Sequence, residues 1–234
     1  MDKNKTIERK DEQTIYVYTQ HAPTIRVLEV CGKVIVLTQD RQKDPVDDVL
    51  SQIRTDEPAV LYAVLPLDKA IELRQRAPHL TLRLLQLDGT VVERLTGRPY
   101  DPKSEYPLDT VKAALKIIEV KNGKVKYYKD FKEMIDEIVN KGYRKIGVFN
   151  DTMREGMKIA LQQTEIELVK TCSSNDCVQI NPLGLQSGYR ISFPGTAGRL
   201  TPEQIAEALL SGAARVYYVE IDAEAVPLCG RPES

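Results

Sequence analysis

Residues 59–87 read AVLYAVLPLDKAIELRQRAPHLTLRLLQL, and residues 145–171 read KIGVFNDTMREGMKIALQQTEIELVKT. Each stretch opens on a short apolar run, passes a brief turn, continues with apolar residues at helical spacing and closes on a second apolar run. This order of strand, loop, helix and strand is the unit of parallel sheets, because a parallel neighbour is reached only through a crossover. The expected fold class is α/β, with one or more mainly parallel sheets, flanking helices and internally duplicated Rossmann-like units.

The correspondence extends upstream. RVLEVCGKVIVLTQD begins at Arg26 and KIIEVKNGKVKYYKD at Lys116, which sets Glu29-Val30 against Glu119-Val120 and Gly32-Lys33-Val34 against Gly123-Lys124-Val125. A duplication would thus span roughly 25–87 and 115–171. A generic alternation of strands and helices is the competing account of the same pattern.

Composition bounds the function. The 234 residues carry 33 Lys and Arg against 34 Asp and Glu, so no positive excess is available to neutralise the phosphates of a long nucleic acid. A small anionic nucleotide remains an acceptable ligand. No apolar run approaches the roughly 20 residues that span a bilayer, and the first 13 residues are charged rather than signal-like, so a cytoplasmic location and no membrane partner are expected. With no Trp and three Phe, the core must be Val, Ile and Leu with some Tyr, which suits a sheet covered by helices.

Along the chain, residues 1–13 read as a charged tail, 14–97 as a first α/β unit, 98–108 as a proline-bearing linker, and 109–234 as a second unit with a C-terminal strand-helix-strand extension. The first strand is Thr14 to Tyr18. TIRVLEVCG then reads as a helix capped by Thr24 and Gly32, or as a strand paired with 33–37 through a Cys-Gly turn; the helix is preferred. A helix from Asp44-Pro45 buries Val46, Val49, Leu50 and Ile53. Asp88-Gly89 reads as a hairpin turn returning as TVVERL. A helix over 130–140 turns Ile135, Ile138 and Val139 inward and stops at Gly142. The last segment gives strand GYRISF, helix PEQIAEALLSG and strand ARVYYVEI, half of another unit.

Cys31, Cys172, Cys177 and Cys229 do not form the dense pattern of a secreted disulfide scaffold. If 165–180 is a hairpin, Cys172 and Cys177 face each other across it. Two plain thiols, a disulfide, and metal or redox chemistry are all open for that pair.

Three strand-end loops carry chemistry. Thr19-Gln20-His21 holds one of only two histidines, the side chain best suited to proton transfer near neutral pH. Its bland reading is a hydrogen-bonded loop residue; His79 reads as a surface turn. Pro194 to Thr201, PGTAGRLT, offers Gly195, Thr196, Gly198 and Arg199 to an anion at a helix N-terminus, although Thr201, Pro202 and Glu203 are also ordinary helix-start residues. In Asn150-Asp151-Thr152, Asp151 or Thr152 reads as an ordinary helix cap, and Asn150 with Arg154 one step into the helix is the pair that could reach a ligand. No Walker loop, serine elbow or HExxH motif is present, which argues against several common hydrolase classes; the expected site holds no metal and no cofactor.

YVYTQHAPTIRVLE, followed some 40 residues later by AVLPLDKAIELRQRAPHLTLRLLQL, resembles the small CRISPR-associated proteins grouped with the ring nucleases, which degrade cyclic oligoadenylate messengers. The resemblance covers roughly residues 14–88 and rests on His21 in a polar strand-end loop and on Leu65-Pro66 before a helix. It implies a metal-independent ribonuclease acting in antiviral defence, in which a ribose 2′-hydroxyl attacks the adjacent phosphate. His21 would be the acid or base and Thr19 its catalytic neighbour. Gln20 would hold the ligand, and Arg199 or Arg154 would face the phosphates. The chain is about twice the usual length, so one polypeptide would hold what the family builds from two. A homodimer is a further expectation. The alternative is a non-catalytic nucleotide sensor or protein-interaction scaffold.

Overall fold

A computed structural model describes residues 14–54, 57–101, 104–182, 185–193 and 200–229. In chain order the elements are β1 (Thr14–Tyr18), α1 (Ala22–Leu28) with a 3-10 turn at Glu29–Cys31, β2 (Lys33–Val36), α2 (Pro45–Gln52), β3 (Ala59–Ala63), α3 (Leu67–Arg76), β4 (Leu80–Leu87), α4 (Gly89–Thr96), α5 (Leu108–Ala114) and β5 (Leu115–Tyr127). There follow α6 (Phe131–Asn140), β6 (Lys145–Gly147), α7 (Asp151–Ala160), β7 (Glu167–Val169), β8 (Cys177–Gln179), β9 (Gly188–Ser192), α8 (Pro202–Leu210) and β10 (Arg215–Val226). Two compact units divide the chain: one runs to Asn122 and resumes at Asp222, and the other is Gly123–Ile221. Residues 98–108, expected as a linker, precede the first of these divisions, and residues 1–13 lie outside the described residues.

In the first unit the strand order is β2-β1-β3-β4-β5, with the end of β10 beyond β5. β2, β1, β3 and β4 are mutually parallel, and β5 is antiparallel to β4. The stretch 59–87 is the expected strand, helix and parallel strand. One sheet face carries Ile15, Val17, Val60, Tyr62, Leu85 and Ile117 and packs on Leu28 of α1, Val226 and Leu228. Asp44 caps α2 by accepting from Val46 N at 2.9 Å, Pro45 presets the first turn, and Val46 and Val49 are fully buried.

Asp88-Gly89 does not make a hairpin. Asp88 Oδ1 instead accepts from Thr90 N and Val91 N, capping α4, and the antiparallel partner of β4 comes from β5. Asp serves a turn and an N-cap equally well, and TVVERL buries Val92 as one helical face. The upstream match also diverges locally: Glu29-Val30 form a 3-10 turn, whereas Glu119-Val120 lie in β5, which runs unbroken through Asn122-Gly123.

In the second unit β6 is central in a three-stranded parallel sheet, β7-β6-β8. Residues 145–169 thus repeat the element order of 59–87. Ile146, with Leu168 and Val178 against it, faces a core built from Met134, Ile135 and Ile138 of α6, Met153 and Met157 of α7, and Ile205 and Leu209 of α8. Val139, expected inward, is exposed, and Met134 takes the core position. β9 and β10 pair antiparallel through α8, so the C-terminal segment is not half of a parallel unit.

The 165–180 hairpin is absent. β7 and β8 flank β6 on opposite sides, so residues 170–176 must cross β6 to reach the start of β8. They do so over Gly147: a Cβ there would lie 2.9 Å from Cys172 Sγ and 2.1 Å from Gln179 Oε1. A bare glycine admits the crossing chain, and the Cys172–Cys177 disulfide closes it. Cys31 and Cys229 form a second disulfide across 198 residues, fastening the segment after β10 beside α1. All four cysteines are paired.

Candidate functional site

β1 ends where its chain must leave the sheet between two parallel neighbours. Val17 O accepts from Leu37 N and Tyr18 O from Val64 N, so the strand is held on both sides to its last residue. The Tyr18 hydroxyl donates to buried Asp48 at 3.0 Å, and burial, reinforced by that carboxylate, pushes the phenol up to about 12. Asp48 also accepts from Asp40 N and from Gln52 Nε2. This acidic corner is therefore internally satisfied.

The next three residues differ. Thr19 is buried and its Oγ1 accepts from His21 N at 3.2 Å. Gln20 is exposed. His21 occupies the N-cap position of α1 without capping it. Its Nδ1 lies 2.7 Å from Thr24 Oγ1, and its Nε2 is sealed from solvent with no hydrogen-bond partner. If the Thr24 hydroxyl donates to Nδ1, Nε2 carries an unpaired proton; if Nδ1 donates, Nε2 presents a bare lone pair. Either tautomer leaves a buried polar atom whose desolvation costs about 1–3 kcal/mol. Burial lowers the imidazole pKa, opposed by the Glu105 carboxylate, so the ring is neutral at physiological pH. A neutral imidazole with one nitrogen held and the other free has the arrangement of a proton acceptor or donor.

The helix cap falls on Asn150 rather than on Asp151 or Thr152. Asn150 Oδ1 accepts from Met153 N at 2.8 Å and caps α7. Arg154 donates through Nη1 to Val148 O at 3.0 Å and through Nη2 to Asp151 at 2.7 Å, where it and Lys170 hold that carboxyl below the usual range. His21 lies in the first unit and the Asn150 loop in the second. Gly195, Thr196, Gly198 and Arg199 lie outside the described residues. Thr201 begins α8 in a reciprocal box with Gln204. His79 is exposed in a turn, as expected.

Two polar clusters escaped the sequence reading. Arg83 lies in the middle of β4, 2% exposed, donating to Glu119 at 3.0 Å and to the Tyr62 hydroxyl at 2.8 Å, with Nη2 sealed and unpartnered. A lone charge in the apolar strand LTLRLLQL was its signal. In the second unit Glu137 Oε1 accepts from Tyr128 at 2.8 Å, Tyr189 at 3.1 Å and Lys141 at 2.8 Å, and Lys126 holds Oε2. These partners outweigh its partial burial and take Glu137 down to about 2, while Lys141 and Tyr128 move up, each away from neutrality. The cluster clamps α6 to the sheet and is poorly suited to proton transfer.

Among the described residues no group of three or more His, Cys, Asp or Glu side chains is placed to hold a metal ion, and no helix is long and apolar enough to cross a membrane. No family model, no curated protein and no solved structure matches this chain.

Proposed function

We propose that this chain binds a small nucleotide and cleaves cyclic oligoadenylate messengers without a metal, His21 being the residue that moves the proton. The observation that supports this reading is the sealed, unpartnered Nε2 of a neutral imidazole at the C-terminal end of a parallel strand. In the reaction the ribose 2′-hydroxyl loses its proton and attacks the adjacent phosphorus. The bond to the 5′-oxygen breaks and that oxygen is protonated, leaving a 2′,3′-cyclic phosphate and a 5′-hydroxyl. Thr19 positions the histidine backbone, and Gln20 is exposed beside it. The reading extends to CRISPR-associated antiviral defence and to an origin of the two strand-helix-strand stretches by duplication of a Rossmann-like unit. It also extends to a cytoplasmic setting. Cytosolic thiols keep most structural disulfides reduced outside hyperthermophiles, so the redox state of Cys31 and Cys172 in cells tests the location.

A non-catalytic nucleotide sensor or protein-interaction scaffold is the second reading. The commitment of Asn150 and Arg154 to contacts at the start of α7 favours it. A thermal-shift screen with mononucleotides, cyclic oligoadenylates and divalent metals tests both, because a ligand at 100 times its Kd adds about 2.7 kcal/mol. Stabilisation by cyclic oligoadenylate with turnover supports the nuclease, and stabilisation without turnover supports the sensor. No response to any nucleotide overturns both nucleotide readings and leaves the scaffold.

A further inference from the structure

We propose that Arg190 forms an anion site in the second unit that takes the phosphate group of a small ligand. Arg190 stands in the middle of β9, 7% exposed, in a strand otherwise made of Gly, Tyr, Ile and Ser. Strand alternation puts Tyr189 and Ile191 into the helix-side core, with Val216 of β10, and turns Arg190 to the opposite face, directly across from Tyr217.

Among the described residues the guanidinium donates only to main-chain carbonyls, from Nη1 to Tyr189 O at 3.4 Å and from Nη2 to Gln186 O. No carboxylate among the described residues pairs with it. Arg83, the other buried arginine among the described residues, has Glu119 as its counter-charge. A buried guanidinium stays protonated, and burying its charge without an anion is unfavourable, so the site is incomplete as it stands.

The surroundings fit an incoming oxyanion. Among the described residues the Arg190 Nε–H has no hydrogen-bond partner, the side chain's bonds being made by Nη1 and Nη2 alone. Gly188 lets the guanidinium lie close to the backbone, since a Cβ there would sit 3.3 Å from Arg190 Nη1 and 3.2 Å from Pro182 Cγ. On the same face the Arg215 guanidinium lies 5.5 Å from the Tyr217 ring, and the half-exposed ring of Tyr127 lies 5.8 Å from it. A guanidinium fork with tyrosine rings alongside suits a phosphate carrying a flat ring. The inference concerns the second unit alone and does not depend on His21.

The test uses the full chain and two probes, inorganic phosphate and AMP, each against sodium chloride of equal ionic strength, with thermal shift and calorimetric titration as readouts. Both should raise the Tm of the unsubstituted protein, AMP at lower concentration. Arg190→Met, close in length and uncharged, should lose at least tenfold in affinity for both, while the exposed control Arg94→Met keeps it. Should Arg190→Met fail to fold, Arg190→Lys decides: it retains the charge, loses the fork and should bind several-fold more weakly. The proposal is overturned if neither probe shifts the unsubstituted protein, if Arg190→Met responds as strongly, or if Arg190→Lys binds equally well. A response to AMP alone supports the site and identifies the ring as part of the ligand.

Discussion

The loops that end β1 and β6 have the same design on paper. Each leaves a parallel strand, carries Thr, Asn or Gln beside a chemically capable side chain, and starts a helix. In space they separate. Asn150, Asp151 and Arg154 spend their polar atoms on one another and on the start of α7. His21 spends Nδ1 on Thr24 and leaves Nε2 with nothing. Polarity at a strand end therefore says little about function; an unsatisfied buried atom says more, because the fold forgoes stability to keep it.

That contrast can be broken first where polar atoms are best satisfied. Glu137→Gln should destabilise the protein by about 1–2 kcal/mol, because Lys126 and Lys141 then lose their shared anion, discounted for their half-exposed ammonium groups. Glu137 is held at about 2 in the fold against an ordinary 4.5, so its contribution is complete above the ordinary value and is lost as pH falls toward 2. Urea unfolding at pH 7 and pH 3 should show a difference between the parent and Glu137→Gln that shrinks at the lower pH.

Asn150→Ala should cost about 1 kcal/mol, the usual loss for an N-cap, and leave any ligand response unchanged. His21→Ala should change stability by less than about 0.5 kcal/mol in either direction, because it removes one hydrogen bond together with one orphaned nitrogen. Equal destabilisation by the two would erase the distinction. The smallest effect concerns pH. With the folded His21 pKa lowered, the unfolded chain takes up a proton first, so stability falls as pH drops below about 6.5 toward the folded value. His21→Ala should flatten that part of the curve, measured by urea midpoints between pH 7 and pH 5.

What was legible in the chain was local. The runs 59–87 and 145–171 carry strand and helix periods within a few residues of each other, and Asp44-Pro45 and Thr201-Pro202 announce helix starts. What was not legible depended on distant partners. Asp88-Gly89 suits a turn and a cap alike, and only the arrival of β5 beside β4 decides between them. CSSNDC looks like a hairpin tip until β7 and β8 are placed on opposite sides of β6, when Gly147 becomes the passage for the crossing chain. Cys31 and Cys229 share no local pattern at all. At the site His21 was visible as a residue type, whereas its free nitrogen was not, because burial of one ring atom is a tertiary fact. Arg83 and Arg190 were visible in principle as single charges inside apolar strands.

The most direct test of the role given to His21 is cleavage of a cyclic oligoadenylate by the purified protein in EDTA, comparing His21→Ala with Asn150→Ala. The account predicts linear products ending in a 2′,3′-cyclic phosphate, at least a hundredfold loss of rate in His21→Ala and an unchanged rate in Asn150→Ala. Equal rates in His21→Ala and the parent would contradict it.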